Sequence, residues 1–295
     1  MIKNLYISTT FLKNGQSVYK AIKLLNKNNI FNIEIGSNHK FEKNLSYFNK
    51  FIRNNNFLLH NYFPVPKKGL VINIASYNTE IRQKSIKQIY KSIDFAKKYN
   101  CKIYTFHPGF IGDPKESLDN KKRNYDFIWD NNFKNNYNKS WLNFVQSLRK
   151  ILNYAKKKKI KICLETEGSI DKKNLLLLQK PVEFDRLFKI FKKEDLFINL
   201  NFGHLNLASK AFRFNREKFI YKYSKHICAF ELSHNYRKKD DHLPLKKRGW
   251  YWKIIRDKKF SKIFKILEYR NCDIKKIKRN YLMCANNFNN QKISI

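Results

Sequence analysis

The chain of 295 residues is poor in glycine, with 8, and in acidic side chains, with 23 Asp and Glu against 62 Lys and Arg. The scarcity of glycine bears on cofactors. No glycine-rich turn follows the first strand-like run, "YISTTFLKNG", so the dinucleotide-binding fingerprint is missing. The five cysteines, Cys101, Cys163, Cys228, Cys272 and Cys284, form no CxxC pair. Four of them lie within or beside apolar runs and read as small core residues of a reduced compartment, with no disulfide framework. No stretch reaches about 18 uninterrupted apolar residues, which excludes a membrane span. The N-terminal "MIKNLYISTTFLKNG" lacks a long apolar segment, so the expectation is no signal peptide and a cytoplasmic protein.

What is present is base and bulk. The net charge of +39 would suit a polyanion, because lysines near phosphates release counterions. The basic tracts are nevertheless scattered, as "KKYNCK" (97–102), "KKRN" (121–124), "KKKKIK" (156–161) and "KKIKR" (275–279). Asn, Ile, Phe and Tyr are as conspicuous as Lys, a palette that AT-rich coding produces, and the charge reads as compositional. Hydrophobic residues at 42% and aromatics at 16% allow a sizeable core.

Short β-branched runs alternate with longer amphipathic ones. The strand candidates are "KNLYIS" (3–8), "FNIEIG" (31–36), "NFLLHN" (56–61), "CKIYTFH" (101–107), "KICLE" (161–165), "LFINLN" (196–201), "ICAFEL" (227–232) and "NYLMCA" (280–285). Helical spacing marks "SVYKAIKLLNKNN" and "TEIRQKSIKQIYKSIDFAKKYN", the second opened by Asn78 as cap. Eight such units predict a single (β/α)8 TIM barrel over residues 1–295, with a doubly wound sheet as the other arrangement. One long connection, about 108–135, is expected as a lid over the active-site face.

In a parallel barrel the chemistry gathers at the carboxyl ends of the strands. His60 ends strand three, His107 ends strand four and Glu165 ends strand five; His204 follows strand six and His242 lies beyond strand seven. Imidazole and carboxylate together suit zinc, manganese or iron(II). Tyr62 and Phe63, in "HNYFPVP", are expected to wall one side of a pocket, and His39 and His226 to lie at the surface.

The motifs "TFHPGF" (105–110), "CLETEG" (163–168), "NFGH" (201–204) and "DDHLPL" (240–245) resemble the xylose isomerase-like TIM-barrel superfamily. It includes sugar (phosphate) isomerases and epimerases and the endonuclease IV type of apurinic/apyrimidinic endonuclease. The resemblance implies one or two divalent ions, zinc or manganese, held by His60, His107 and Glu165 and by His204, Asp240 and His242. For a middle ion the match is poor: Asn201 stands for the family's aspartate and Glu231 for its histidine. The strand-eight glutamate finds no equivalent in "YLMCANN", which offers Cys284, Ala285 or Asn286. The implied chemistry is sugar or sugar-phosphate isomerisation or epimerisation, with Glu165 and Glu231 moving the proton and Asn201, Tyr62 and Glu34 contacting substrate. Glu167 and Glu34 are further stand-ins for a second carboxylate. Two other readings stay open: an endonuclease IV-like phosphodiesterase, and a barrel that binds a sugar or metal without turnover.

Overall fold

The computed structural model describes residues 4–114, 136–168 and 175–289. The lid expected at about 108–135 falls, from residue 115 on, outside the described residues.

Eight strands form one closed parallel barrel in sequence order: β1 Leu5–Ser8, β2 Asn32–Ile35, β3 Asn56–His60, β4 Tyr104–Phe106, β5 Ile162–Glu165, β6 Phe197–Asn201, β7 Ile227–Leu232 and β8 Phe264–Leu267. β1 pairs with β8 through Leu5↔Lys265 and Ile7↔Leu267, which closes the ring. The helices are α1 Val18–Lys27, α2 Phe48–Phe51, α3 Thr79–Lys98, α4 Tyr137–Lys158, α5 Pro181–Ile190, α6 Phe202–Ala211, α7 Arg216–Lys222, α8 Tyr251–Ile255 and α9 Ile274–Asn289. Asn78 caps α3 as expected, its side chain accepting from the Glu80 and Ile81 amides at 2.9 and 3.3 Å. No helix among the described residues is long and apolar enough to cross a membrane.

Seven strands fall where the sequence places them, and the eighth does not. "NYLMCA" lies in α9, whose Ile277 and Cys284 are fully buried at a seven-residue spacing, two helical turns apart. The strand is instead "FKIL", with Lys265 in its middle. Lys265 is tolerated because its ammonium reaches the Phe260, Ile263 and Ser261 carbonyls at 2.8, 3.2 and 3.3 Å. Partial burial lowers its pKa to about 8.

Side chains alternate between the two faces of each strand. One set points outward into the large core shared with the helices. The other set builds a separate inner cluster of Tyr6, Leu58, Cys163, Ala229 and Ile266, one residue from each of five strands, with Ile103 directly before β4. This apolar plug closes the barrel beneath its C-terminal mouth. Cys163 belongs to it, and all five cysteines are free thiols.

His39 corrects a surface assignment. It is buried, between the Gln16 carbonyl (Nδ1, 3.1 Å) and the Thr9 hydroxyl (Nε2, 2.8 Å), tying the loop after β1 to the loop after β2. His226 is half-buried, its ring stacked on Phe188 with centroids 3.5 Å apart.

Candidate metal centre

Two residues beyond each plug position the chain turns polar: Ser8, His60, Thr105, Glu165, Glu231 and Glu268. Glu34 on β2 and Asn201 on β6 occupy the same level, and all of these side chains are buried. The barrel thus carries a buried polar layer directly on top of its hydrophobic plug.

Histidines link the carboxylates into one network. His60 Nε2 lies 3.1 Å from Glu165 Oε2, while its Nδ1 faces Glu231 Oε1 at 3.3 Å and Glu34 Oε1 at 3.7 Å. His107 sets Nε2 3.5 Å from Glu165 Oε2 and Nδ1 2.7 Å from Glu167 Oε1. His204 places Nδ1 3.1 Å from Glu165 Oε1 and 2.8 Å from the Thr166 carbonyl, and Nε2 3.3 Å from Asp240 Oδ2. His242 Nε2 meets the same Asp240 oxygen at 2.6 Å, and its Nδ1 lies 2.7 Å from Glu268 Oε2.

Backbone geometry delivers the last of these groups. The chain beyond β7 folds back so that the amides and carbonyls of His234 and Leu243 pair, which carries Asp240 and His242 over the mouth. His242 itself takes a left-handed φ of 44°, a conformation that costs a non-glycine residue of order 1 kcal/mol and that gathers at functional sites. Gly168 permits an equally close approach: a Cβ there would meet the His204 carbonyl oxygen at 2.1 Å.

Three groups of ligand-type atoms converge to within 4.8 Å of one another: His60, His107 and Glu165; His204, Asp240 and His242; and Glu34, His60 and Glu231. The donor set fits a divalent cation. Among the buried atoms lacking a hydrogen-bond partner are both oxygens of Glu34, Glu165 Oε2, Glu231 Oε1 and Asp240 Oδ1. Imidazole and carboxylate ligands in this ratio suit zinc or manganese.

The electrostatics divide the carboxylates. Burial alone would raise the Glu165 pKa, but positive charge on His107 and His60, with hydrogen bonds from His204 and His60, holds it well below the usual range. Burial likewise opposes ionisation of Asp240, and the His242 and His204 charges overcome it. Glu268 is brought to about 2 against its burial, by the His242 charge and hydrogen bond and then by Arg270. Burial pushes Glu231 and Glu34 upward, Glu231 also because Glu165 and Glu268 lie near. The imidazoles respond in kind: burial would lower His60, yet the Glu231 and Glu165 charges raise it well above 6.5. Protons on histidine thus balance the acids, and a metal ion taking those nitrogens would displace them.

Of the residues singled out in the sequence, His60, His107, Glu165, His204, Asp240, His242, Glu231, Glu34 and Asn201 all enter this network. Tyr62 lies two residues past His60, half-buried, packing against the outer core and accepting from Gln88 through its carbonyl at 2.9 Å. Phe63 turns away into an aromatic cluster with Phe48 and Phe95, so it walls no pocket. The strand-eight glutamate does exist. It is Glu268, directly after β8, and it was hidden by placing that strand at 280–285. Its signal was the short run "FKIL" followed at once by an acid, as "KICL" is followed by Glu165 on β5. Arg270, whose Nη1 lies 3.5 Å from Asp240 Oδ2, was missed with it.

Fold and site together define a parallel α/β barrel with a histidine–carboxylate mouth. The family model described as the xylose isomerase-like TIM barrel matches residues 19–282, and the chain belongs to that family. No curated protein matches it in sequence. Among solved structures it is similar to a D-tagatose 3-epimerase-like protein, at 16% identity and a TM-score of 0.72 over 98% of this chain and 97% of that one. It is also similar to the D-psicose 3-epimerase of Clostridium cellulolyticum H10, at 11% identity and 0.68, covering 97% and 98% of the two chains. A third is the 3-keto-D-glucoside 4-epimerase of E. coli, at 9% identity and 0.64, covering 96% and 98%. At these identities the likeness is one of fold.

Proposed function

We propose that the chain is a divalent-metal-dependent isomerase or epimerase of a sugar or sugar phosphate, working at the C-terminal mouth of the barrel. The observation that carries this reading is Glu268. With Glu165 on β5 and Glu268 after β8, carboxylates reach the mouth from strands three places apart around the ring. Moving a proton next to a carbonyl needs a base and an acid on different sides of the substrate. Glu165 is the base in this reading, ionised by the histidines around it, and Glu268 or Glu231 is its partner across the mouth.

A bound ion would polarise the substrate's carbonyl and hydroxyl oxygens. The ligands we assign to it are His60, His107 and Glu165, with His204, Asp240 and His242 as a second set. Thr166 fixes the ring of His204 through Nδ1 and leaves Nε2 for an ion beside Asp240, and Glu167 does the same for His107 through Nδ1. Such outer partners hold an imidazole in one orientation and tautomer. Asn201 donates to Glu165 Oε1 at 2.9 Å and keeps that carboxylate aimed.

The second reading, a metal-dependent phosphodiesterase, is favoured by one observation, the convergence of His204, Asp240 and His242. The described lysines and arginines weigh against it, since they are spread over the outer helices, as with Lys84, Lys87 and Lys91 on α3 and Lys150, Lys156 and Lys157 on α4. A phosphodiester backbone would be met by positive charge concentrated at the mouth.

Proton NMR in D2O tests the proposal on a panel of ketoses and their phosphates, with zinc or manganese added. Loss of a substrate C–H signal, slowed at least about 100-fold by Glu165→Gln and by Glu268→Gln, is the expected result. Cleavage of an abasic oligonucleotide together with unchanged sugars would transfer the assignment to the phosphodiesterase.

A further inference from the structure

Asn201 is the N-cap of α6, and its two amide atoms are told apart by their partners. Oδ1 accepts the His204 amide N–H at 3.1 Å, so Nδ2 must be the atom facing Glu165 Oε1 at 2.9 Å and Glu231 Oε2 at 3.3 Å. The flipped amide would set nitrogen against an N–H and oxygen against two carboxylates. Asn199 Nδ2 donates to the same Glu231 oxygen at 3.1 Å. A carboxamide nitrogen has no lone pair for a metal. The gap between Glu165 Oε1 and Glu231 Oε2 is therefore already filled by N–H donors, and no ion fits between those two atoms.

What those amides leave unserved lies on the other side of Glu231. Its Oε1, both oxygens of Glu34 and His60 Nδ1 are buried and have no hydrogen-bond partner. Glu34 and Glu231 are 0% exposed and His60 5%. These three buried oxygens have only the ring of His60 near them, at 3.3 Å from Glu231 Oε1 and 3.7 Å from Glu34 Oε1, and a cation would supply the partner they lack. We propose that Glu34, His60 and Glu231 form a cation site on the floor of the mouth, spanning β2, β3 and β7. Its mixed oxygen and nitrogen ligands suit a divalent transition metal such as zinc or manganese.

The site changes what His60 does. A neutral imidazole offers one lone pair, and with Nδ1 on the inner ion the proton sits on Nε2, which faces Glu165 Oε2 at 3.1 Å. The outer group then keeps only His107 and Glu165, so the two sites compete for His60. The inner one holds the advantage, because the His107 side chain is 26% exposed. The inner ion is a positioning element: it neutralises Glu34 and Glu231 and aims Glu165 through the ring of His60.

The test strips the full-length protein with chelator and titrates it with zinc alone against a chromogenic competitor. Wild type and His107→Ala should bind the first zinc with affinities within about threefold, whereas Glu34→Gln should lose about 100-fold. Equal first-site affinity in wild type and Glu34→Gln, or its loss in His107→Ala, overturns the site. Circular dichroism checks that the variants fold. Anomalous diffraction from zinc-soaked wild-type crystals gives an answer free of any variant. A peak among Glu34, His60 and Glu231 supports the site, and a peak confined to the outer groups, or none, refutes it. Zinc held there by a chain that turns over no sugar would leave this inference standing and remove the functional proposal.

Discussion

Two adjacent layers inside the barrel could hardly differ more. Tyr6, Leu58, Ile103, Cys163, Ala229 and Ile266 form a dry plug; one step up the same strands stand Ser8, His60, Thr105, Glu165, Glu231 and Glu268. Backbone pairing and burial are the same in both layers. What differs is whether each buried side chain is content without water. The lower layer is, since apolar burial stabilises by about 25 cal/mol per Å². The upper layer is not: its orphaned carboxylate oxygens mark a place where the fold gives up stability to hold charge ready for a ligand. That contrast is why we place the proposed site at the mouth and not within the barrel.

The sharpest way to break the comparison is to move charge down one layer. Ala229→Asp would bury a carboxylate among Leu58, Cys163 and Ile266 with no histidine to balance it. The expected cost exceeds about 4 kcal/mol, enough to prevent folding. Soluble, cooperatively unfolding Ala229→Asp protein in a urea titration would mean that the plug tolerates charge and that its apolar character is incidental.

A second comparison separates burial from charge. His39 and His60 are each 5% exposed, yet their pKa values move in opposite directions. Burial lowers His39 to about 4, opposed only weakly by the Gln16 carbonyl and Glu42, while the acids around His60 overcome its burial. The unfolded chain, with an ordinary histidine near 6.5, then binds a proton that folded His39 refuses. Its contribution is complete above pH 6.5 and is lost as pH falls towards 4, up to about 3 kcal/mol. Chemical denaturation from pH 7 to 4 should show a shallower decline for His39→Gln. An identical decline in both proteins would place acid sensitivity entirely in the mouth.

The same contrast explains what could be read in advance. Seven strands and most of the mouth residues were legible because parallel-barrel strands are near-continuous apolar runs that end in polar residues. β8 was not, because Lys265 interrupts the run, and nothing local reveals that its ammonium caps three carbonyls. Glu268 and Arg270 were lost with it. "NYLMCA" attracted the assignment because six residues are too few to expose the helical period that Ile277 and Cys284 display over a longer window. The pairing of Asn201 with both Glu165 and Glu231 is a tertiary fact that no spacing encodes.

The smallest expected effect tests whether the upper layer is frustrated at all. Burial, with Glu165 and Glu268 near, pushes the Glu231 carboxyl up, so the folded chain favours the protonated acid. The folded state therefore binds a proton that the unfolded state releases, and Glu231 costs stability as pH rises above 4.5. Glu231→Gln mimics the protonated form. Its carbonyl oxygen can keep the Asn199 and Asn201 donors. In chelator at neutral pH this variant should gain about 1 kcal/mol, or a melting temperature roughly 2–4 °C higher. Added zinc should reverse the order, because the ion stabilises the wild type in proportion to its binding and the amide is a poorer ligand. A variant less stable than wild type in chelator would mean that His60 already compensates Glu231, and that the mouth is a balanced salt network whose acids need no ion.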